Sequence, residues 1–226
     1  VLNAGSLGVW NIMHHHLIDR TSLSQRLGFA IGKKDTLLVT YHPATRETTD
    51  SGKTTESLCR ALDNFPEYNI LITYPNNDPG SDKIIETIQN YAVQQQDRVK
   101  VVKSLGLTGY LSMLQYAAAV IGNSSSGIIE VPSMGIPTVD IGSRQRGRLA
   151  ARSVIHCGNS TDEITEAIRK ALSTEFAAVA ADRVNPYFQP DTVEIIVNKI
   201  LNTDLDQLIH KRFYDSALHH SSQRRQ

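Results

Sequence analysis

Short apolar runs alternate with segments of helical periodicity along most of this chain. Continuous runs rich in Val and Ile predict strands at Thr36–Thr40, Tyr68–Tyr74, Val99–Val102, Ala118–Gly122, Thr138–Ile141 and Ser153–His156. Such runs suit parallel strands buried on both faces. Apolar positions recur at helical spacing over Thr54–Asn64, Ser81–Gln95, Thr108–Tyr116, Ser125–Met134, Asp162–Leu172, Glu175–Ala181 and Thr192–Asn202, with a brief link around Gly147–Ala151. Ser160-Thr161-Asp162-Glu163 carries the start signal of a capped helix. A helical segment near Ser22–Leu27 leads in, and Gly28 closes it. The βαβ rhythm predicts an α/β fold with a doubly wound, Rossmann-like parallel sheet.

The pattern divides the chain into a linker and lead-in helix over 1–30, a nucleotide-binding domain over 31–203 and a C-terminal helix with tail over 204–226. The tail from His219 to Gln226 lacks an apolar face and reads as frayed. Val1 opens in mid-pattern rather than at a methionine, the expectation for a processed product or a fragment.

The most informative stretch is Ile121-Gly122-Asn123-Ser124-Ser125-Ser126-Gly127-Ile128-Ile129-Glu130. It joins an expected strand to an expected helix through a small polar turn. The first turn of a helix has unpaired N–H donors and the positive end of the dipole, so this arrangement suits a phosphate. Glycines at 122 and 127 allow close approach to the backbone. Glu130 lies further along, where a carboxylate would repel phosphate but accept hydrogen bonds from ribose hydroxyls. The segment reads as a site for a nucleoside diphosphate. An ordinary serine-capped helix has the same local sequence.

Geometry sharpens the choice. If the six strands take the order 3-2-1-4-5-6, strands 1 and 4 are neighbours at the topological switch point, beyond whose carboxyl ends ligands bind. Strand 1 ends in Tyr41-His42-Pro43 and strand 4 in the serine turn, so His42 faces Ser124 and Ser125. The proline holds His42 extended, and its imidazole can bind a diphosphate or move a proton. Strand 2 ends in Tyr74-Pro75-Asn76-Asn77-Asp78, which brings Asn76 within reach of the same crevice. Strand 5 leads into Gly142-Ser143-Arg144-Gln145-Arg146-Gly147-Arg148, whose arginines suit bidentate oxyanion recognition, Arg144 first among them.

Composition narrows the partners. With 23 basic and 23 acidic residues in 226, no strongly basic face is implied and nucleic acid is not expected. No apolar run reaches membrane-spanning length and nothing at the start resembles a signal peptide, so a cytoplasmic protein without a membrane partner is expected. Cys59 and Cys157 match no metal or redox spacing and read as reduced, packed thiols, with a disulfide between them left open. His14-His15-His16 cannot all face one ion, so no metal is called for. Ser124–Ser126 lacks a nucleophile elbow, no Walker lysine follows the glycine turn, and no cofactor is expected.

The serine turn, together with Gly135-Ile136-Pro137-Thr138 and the strand-5 loop through Arg148, resembles the hydrolysing UDP-N-acetylglucosamine 2-epimerases. Gly5-Ser6-Leu7-Gly8-Val9, Thr40-Tyr41-His42-Pro43-Ala44-Thr45, Tyr74-Pro75-Asn76-Asn77-Asp78 and Asn185-Pro186-Tyr187 follow in family order, from Gly5 to about Leu201. The resemblance implies the C-terminal half of a GT-B architecture, with a UDP-sugar bound between two Rossmann-like domains. It implies that His42, the candidate catalytic residue, touches the diphosphate, Asn76 lies near the uracil–ribose end, and the backbone at Leu105 contacts the base. Ser124 and Ser125 would hold phosphate, Glu130 the ribose hydroxyls, and Arg144 would support the nucleotide. The implied reaction eliminates UDP to give a 2-acetamidoglucal, then adds water to release N-acetylmannosamine. The resemblance places the proton-moving carboxylates in an N-terminal domain ahead of the first motif. This chain alone is therefore expected to bind UDP without turning over substrate, and the intact protein to be a homo-oligomer. A non-catalytic nucleotide-sugar module and a GT-B glycosyltransferase donor domain are the alternatives.

Overall fold

The computed structural model describes residues 2–32, 35–44, 50–204 and 206. Within them six parallel strands form one sheet: β1 (Thr36–Thr40), β2 (Asn69–Thr73), β3 (Val99–Val102), β4 (Ala117–Gly122), β5 (Thr138–Ile141) and β6 (Val154–Cys157). Their order is β3-β2-β1-β4-β5-β6, the doubly wound order expected from the sequence. β1 pairs with β2 on one side and β4 on the other, so the switch point falls between β1 and β4.

Alternation along the central strands sends successive side chains to opposite faces. Leu37, Val39, Ile70 and Ile72 face one layer of helices, α3 (Ser51–Leu62), α4 (Ser81–Gln94) and α8 (Thr161–Ala171), through Leu58, Leu62, Ile84, Ile88, Ile164 and Ile168. Leu38, Leu71 and Val120 face the other layer, where α1 (Leu7–His14), α2 (Arg20–Leu27) and α5 (Gly106–Leu114) bring Ile12, Leu23, Leu111 and Leu114. Each fully buried Leu or Ile contributes about 1.5–3 kcal/mol, so both faces together drive the sheet to its helices. The edge strands differ from expectation: β3 and β6 are largely half-exposed rather than buried on both faces, because each has a sheet neighbour on one side only.

Most helix ends follow local chemistry. Asp50 caps α3, which starts earlier than its apolar periodicity suggests, and Ser160 with Glu163 forms a complete capping box on α8. Gly28 ends α2 in the left-handed conformation. α1 has no counterpart in the expected elements, since Gly5 and Gly8 break its pattern; Ser6 caps it and Val9 and Ile12 bury it. The helix expected over Ser125–Met134 is two: α6 (Ser125–Ile129) and α7 (Val131–Met134), meeting at Glu130. Pro132 causes the break, because it has no N–H to donate to the Ile128 carbonyl. Gly147–Ala151 contains no helix and belongs to a turn-rich loop. The chain continues through α9 (Thr174–Ala181) and α10 (Thr192–Leu201). α10 packs against α1, and Ser6 N–H donates to the Tyr187 carbonyl at 3.0 Å. The tail from His219 lies outside the described residues.

Candidate functional site

The carboxyl ends of β1, β2 and β4 open into a cleft of about 480 Å³. It is lined by His42, Asn76, Leu105, Ser124 and Glu130, five of the residues expected from the sequence, together with Thr40, Thr73, Lys103, Tyr110 and Ser126. The βαβ winding places them there. β1 delivers His42, the β2 turn delivers Asn76, the β3–α5 connection delivers Leu105, and β4 feeds the serine turn.

His42 is only 6% exposed. Its Nδ1 accepts a hydrogen bond from the Asn76 backbone N–H at 3.0 Å, which puts the neutral ring's proton on Nε2. Burial lowers its pKa to about 4; the nearby Arg144 charge adds to this and Asp78 opposes it. At neutral pH His42 is therefore an uncharged hydrogen-bond donor, suited to a phosphate oxygen and not to taking up a proton. The same shift has a cost. Between an unfolded value of about 6.5 and the folded value of about 4, the unfolded chain binds more protons, so stability rises with pH. His42 burial should thus contribute fully above about pH 6.5 and lose on the order of 2 kcal/mol by pH 4, after allowance for screening at the cleft mouth. Urea midpoints at pH 7.5 and 4.5 should converge for wild type and His42→Asn at the lower pH; a constant difference would contradict this account.

Asn123 connects the two central strands at the site and is 1% exposed. Its side chain accepts from His42 N–H at 2.7 Å and donates to the His42 carbonyl at 2.8 Å. Its own carbonyl accepts from the Arg144 guanidinium at 3.1 Å and from Gln145 Nε2 at 2.8 Å. Asn123 therefore fixes both His42 and the β5 loop. Before it, Gly122 has φ +138°, and a Cβ there would collide with the Thr40 carbonyl across the sheet. Only glycine lets β4 turn this close to β1.

Ser124 caps α6, its Oγ accepting from Ser126 N–H at 3.4 Å, and Ser125 is the first helical residue. Tyr110 Oη lies 2.7 Å from Ser126 Oγ. Burial pushes the Tyr110 phenol well above its ordinary pKa, against the opposing effect of Ser126, so the hydroxyl stays protonated. Glu130 sits at the α6–α7 break, and its carboxylate lies against Gly8 of α1, where a side chain would collide with it. Leu105 is 5% exposed and precedes α5. Ser125 and Arg144 are half-buried beside the cleft and do not line it; Arg144 turns toward Asn123. Among residues given no role of their own from the sequence, Gly8 is explained by the Glu130 contact, while Asn123, Lys103 and Tyr110 are placed only by the fold.

The histidine run does not converge. His14 Nδ1 pairs with the Trp10 carbonyl at 2.8 Å and His15 Nε2 with Thr108 Oγ1 at 2.7 Å. No group of His, Cys, Asp and Glu fit to hold a metal occurs among the described residues. Cys59 is buried, Cys157 half-buried, both are free, and burial raises each thiol to about 12. No helix of the described residues is long and apolar enough to cross a membrane.

The model of one protein family, UDP-N-acetylglucosamine 2-epimerase, matches residues 1–201. The chain belongs to this family. A UDP-N-acetylglucosamine 2-epimerase family member is thus the setting for the cleft. The chain is 33% identical over 216 residues to a GDP/UDP-N,N'-diacetylbacillosamine 2-epimerase (hydrolyzing) of Campylobacter jejuni, covering 95% of this chain and 56% of that protein. It is 32% identical over 220 residues to polysialic acid biosynthesis protein P7 of Escherichia coli, covering 95% and 54%. The chain spans about half the length of the curated relatives it matches. Among solved structures, it resembles the S. aureus MnaA–UDP co-structure with a TM-score of 0.68 at 17% identity, covering 94% of this chain and 56% of that one. That likeness establishes the fold, a Rossmann-like half of a GT-B architecture.

Proposed function

We propose that this family member supplies the UDP-binding, C-terminal part of a hydrolysing UDP-N-acetylglucosamine 2-epimerase, which converts its UDP-sugar to the 2-epimeric free sugar and UDP. The observation that carries the reading is the convergence of a neutral His42 donor, the serine-capped start of α6 and the Glu130 carboxylate on one cleft. Those groups match the parts of a nucleoside diphosphate. His42 Nε2–H and the Ser124 hydroxyl face the diphosphate, and Ser125, beside the cleft at the start of α6, would reach it from the side. Glu130 accepts from the ribose hydroxyls, with Asn76 and Leu105 toward the uracil, and Arg144 adds positive charge behind the site.

The chemical contribution of these residues is to the leaving group. As the bond from sugar carbon 1 to the diphosphate breaks, negative charge grows on UDP, and donors already fixed by the fold stabilise it without reorganising. His42 donates and does not deprotonate, so it acts electrostatically. The carboxylates that move protons at carbon 2 belong to the remaining half of the enzyme. On this reading the chain alone binds UDP and does not release N-acetylmannosamine. The diacetylbacillosamine relative supports a UDP-linked acetamido sugar as the substrate class, N-acetylglucosamine or its diacetamido relative.

A UDP titration followed by amide NMR shifts tests the site. Shifts are expected at residues 42, 76 and 122–130. Glu130→Ala and Ser125→Ala should each weaken UDP by about 1–3 kcal/mol, and His42→Ala should weaken UDP more than uridine. Unchanged affinity in both of the first two variants would defeat the assignment. Transfer of the sugar to an acceptor by the intact protein, without free sugar release, would favour a glycosyltransferase instead.

A further inference from the structure

A second and larger cleft, about 1120 Å³, lies on the other side of the 142–148 loop. It is bounded by that loop, by β6 and by α8, and none of its lining residues belongs to the first cleft. His156 projects into it from β6 with its side chain 52% exposed, and Asp140 on the neighbouring strand holds the ring from behind. The two residues are in register on β5 and β6. His156 Nδ1 lies 2.8 Å from Asp140 Oδ2, and the Asp140 side chain is 2% exposed. Asp140 Oδ1 has no hydrogen-bond partner among the described residues.

A buried, half-satisfied carboxylate costs stability that a well-packed apolar residue at the same place would not. What it provides here is an oriented imidazole. Nδ1–H directed at Asp140 leaves Nε2 for the cleft, the reverse of His42, whose Nδ1 is the acceptor. The surrounding charges complete the pattern. Arg146, Arg148 and Lys170 line the cleft, and no ion pair holds any of them among the described residues. The two acids that also line it are engaged on α8: Glu163 with the Ser160 cap and Glu166 with Arg169. Lys170 stands 5.6 Å over the Phe176 ring. Ser160 is neutral and leaves Glu163 charged, so Arg146, Arg148 and Lys170 stand against one carboxylate without an ion pair, and the balance in the cleft is positive.

We propose that this second cleft binds a phosphate monoester, with Arg146 and Arg148 clamping its oxygens and Nε2 of the Asp140-held His156 hydrogen-bonded to it. Two planar guanidinium groups from one loop suit an oxyanion. A monoester is favoured over a carboxylate because it combines oxygens that accept from the arginines with a P–OH that can donate to the open Nε2, whereas a carboxylate only accepts. Cys157 also borders the cleft, but burial keeps it a thiol, and no covalent step is involved.

The proposal is independent of the UDP site, and one experiment separates them. The whole chain is titrated with glycerol 3-phosphate, and with glycerate at matched ionic strength, while amide NMR shifts are followed. Shifts are expected at Gly142, Gly147 and Gly158 with glycerol 3-phosphate. Its affinity should fall about tenfold or more in the Arg146→Ala/Arg148→Ala double variant and also in His156→Gln. Shifts induced by UDP at residues 122–130 should persist in the double variant, which also reports that it is folded. Both arginines lie on an exposed loop, and Lys170→Ala on α8 provides a second weakening that does not touch that loop. Glycerol 3-phosphate shifts confined to the His42 cleft, or wild-type affinity in the double variant, would overturn the assignment. Equal binding of glycerate would overturn the choice of a phosphate ligand.

Discussion

Alanine at position 122 is expected to destabilise the fold by about 3–5 kcal/mol, combining a disfavoured backbone conformation with overpacking. At φ +138° the new methyl group falls on the Thr40 carbonyl, which belongs to the central strand and cannot move alone. Thr40 is paired on its other side with Thr73, both through the ladder and by a hydroxyl contact of 2.6 Å. Relief would have to open β1 from β4 or shift β1 and β2 together. Urea denaturation followed by circular dichroism measures the effect. A loss below about 1 kcal/mol would mean that the strands have room the structure does not show.

Asn123→Ala is expected to cost about 2–4 kcal/mol, because it leaves the buried N–H and C=O of His42 without partners. Its second effect is on the cleft. His42 loses the clip that sets its backbone, so UDP affinity should fall even though Asn123 is not among the residues that line the cleft. Calorimetric titration of the variant, compared with its urea midpoint, separates the two effects. A destabilised variant with unchanged UDP affinity would show that Asn123 serves the sheet alone.

The legibility of these features in the sequence depends on how local their causes are. The strands were legible because each is a short continuous apolar run, and their order is the common doubly wound one, taken as a condition in the sequence and found in the fold. His42 and the serine turn could be paired on that basis, since both follow strands that the winding makes neighbours. Asn123 looked like one more turn residue, because what it does depends on His42, which the fold alone brings to it. The Asp140–His156 pair needs the β5–β6 register, which composition does not reveal. The α6–α7 break had a local signal in Pro132, whereas α1 was hidden by Gly8, whose lack of a side chain answers to Glu130 at that break. Family resemblance added expectations the pattern did not give, such as the uracil end for Asn76 and the base for Leu105.

The pairing of β1 with β4 has a consequence for how the protein acquires its site. Thr36 meets Ala117, so the chain must close a long excursion, through α3, β2, α4, β3 and α5, before these strands can join. Closing a long loop delays contact formation while local helices and neighbouring βαβ units are already available. The β1–β2–β3 unit and the α6–β5–β6 unit each form from near neighbours, and the cleft lies on the seam where they dock. A nascent or partly folded chain therefore has all the residues of the cleft but no cleft, and the nucleotide affinity proposed for it should arise only when the last long-range step of folding is complete.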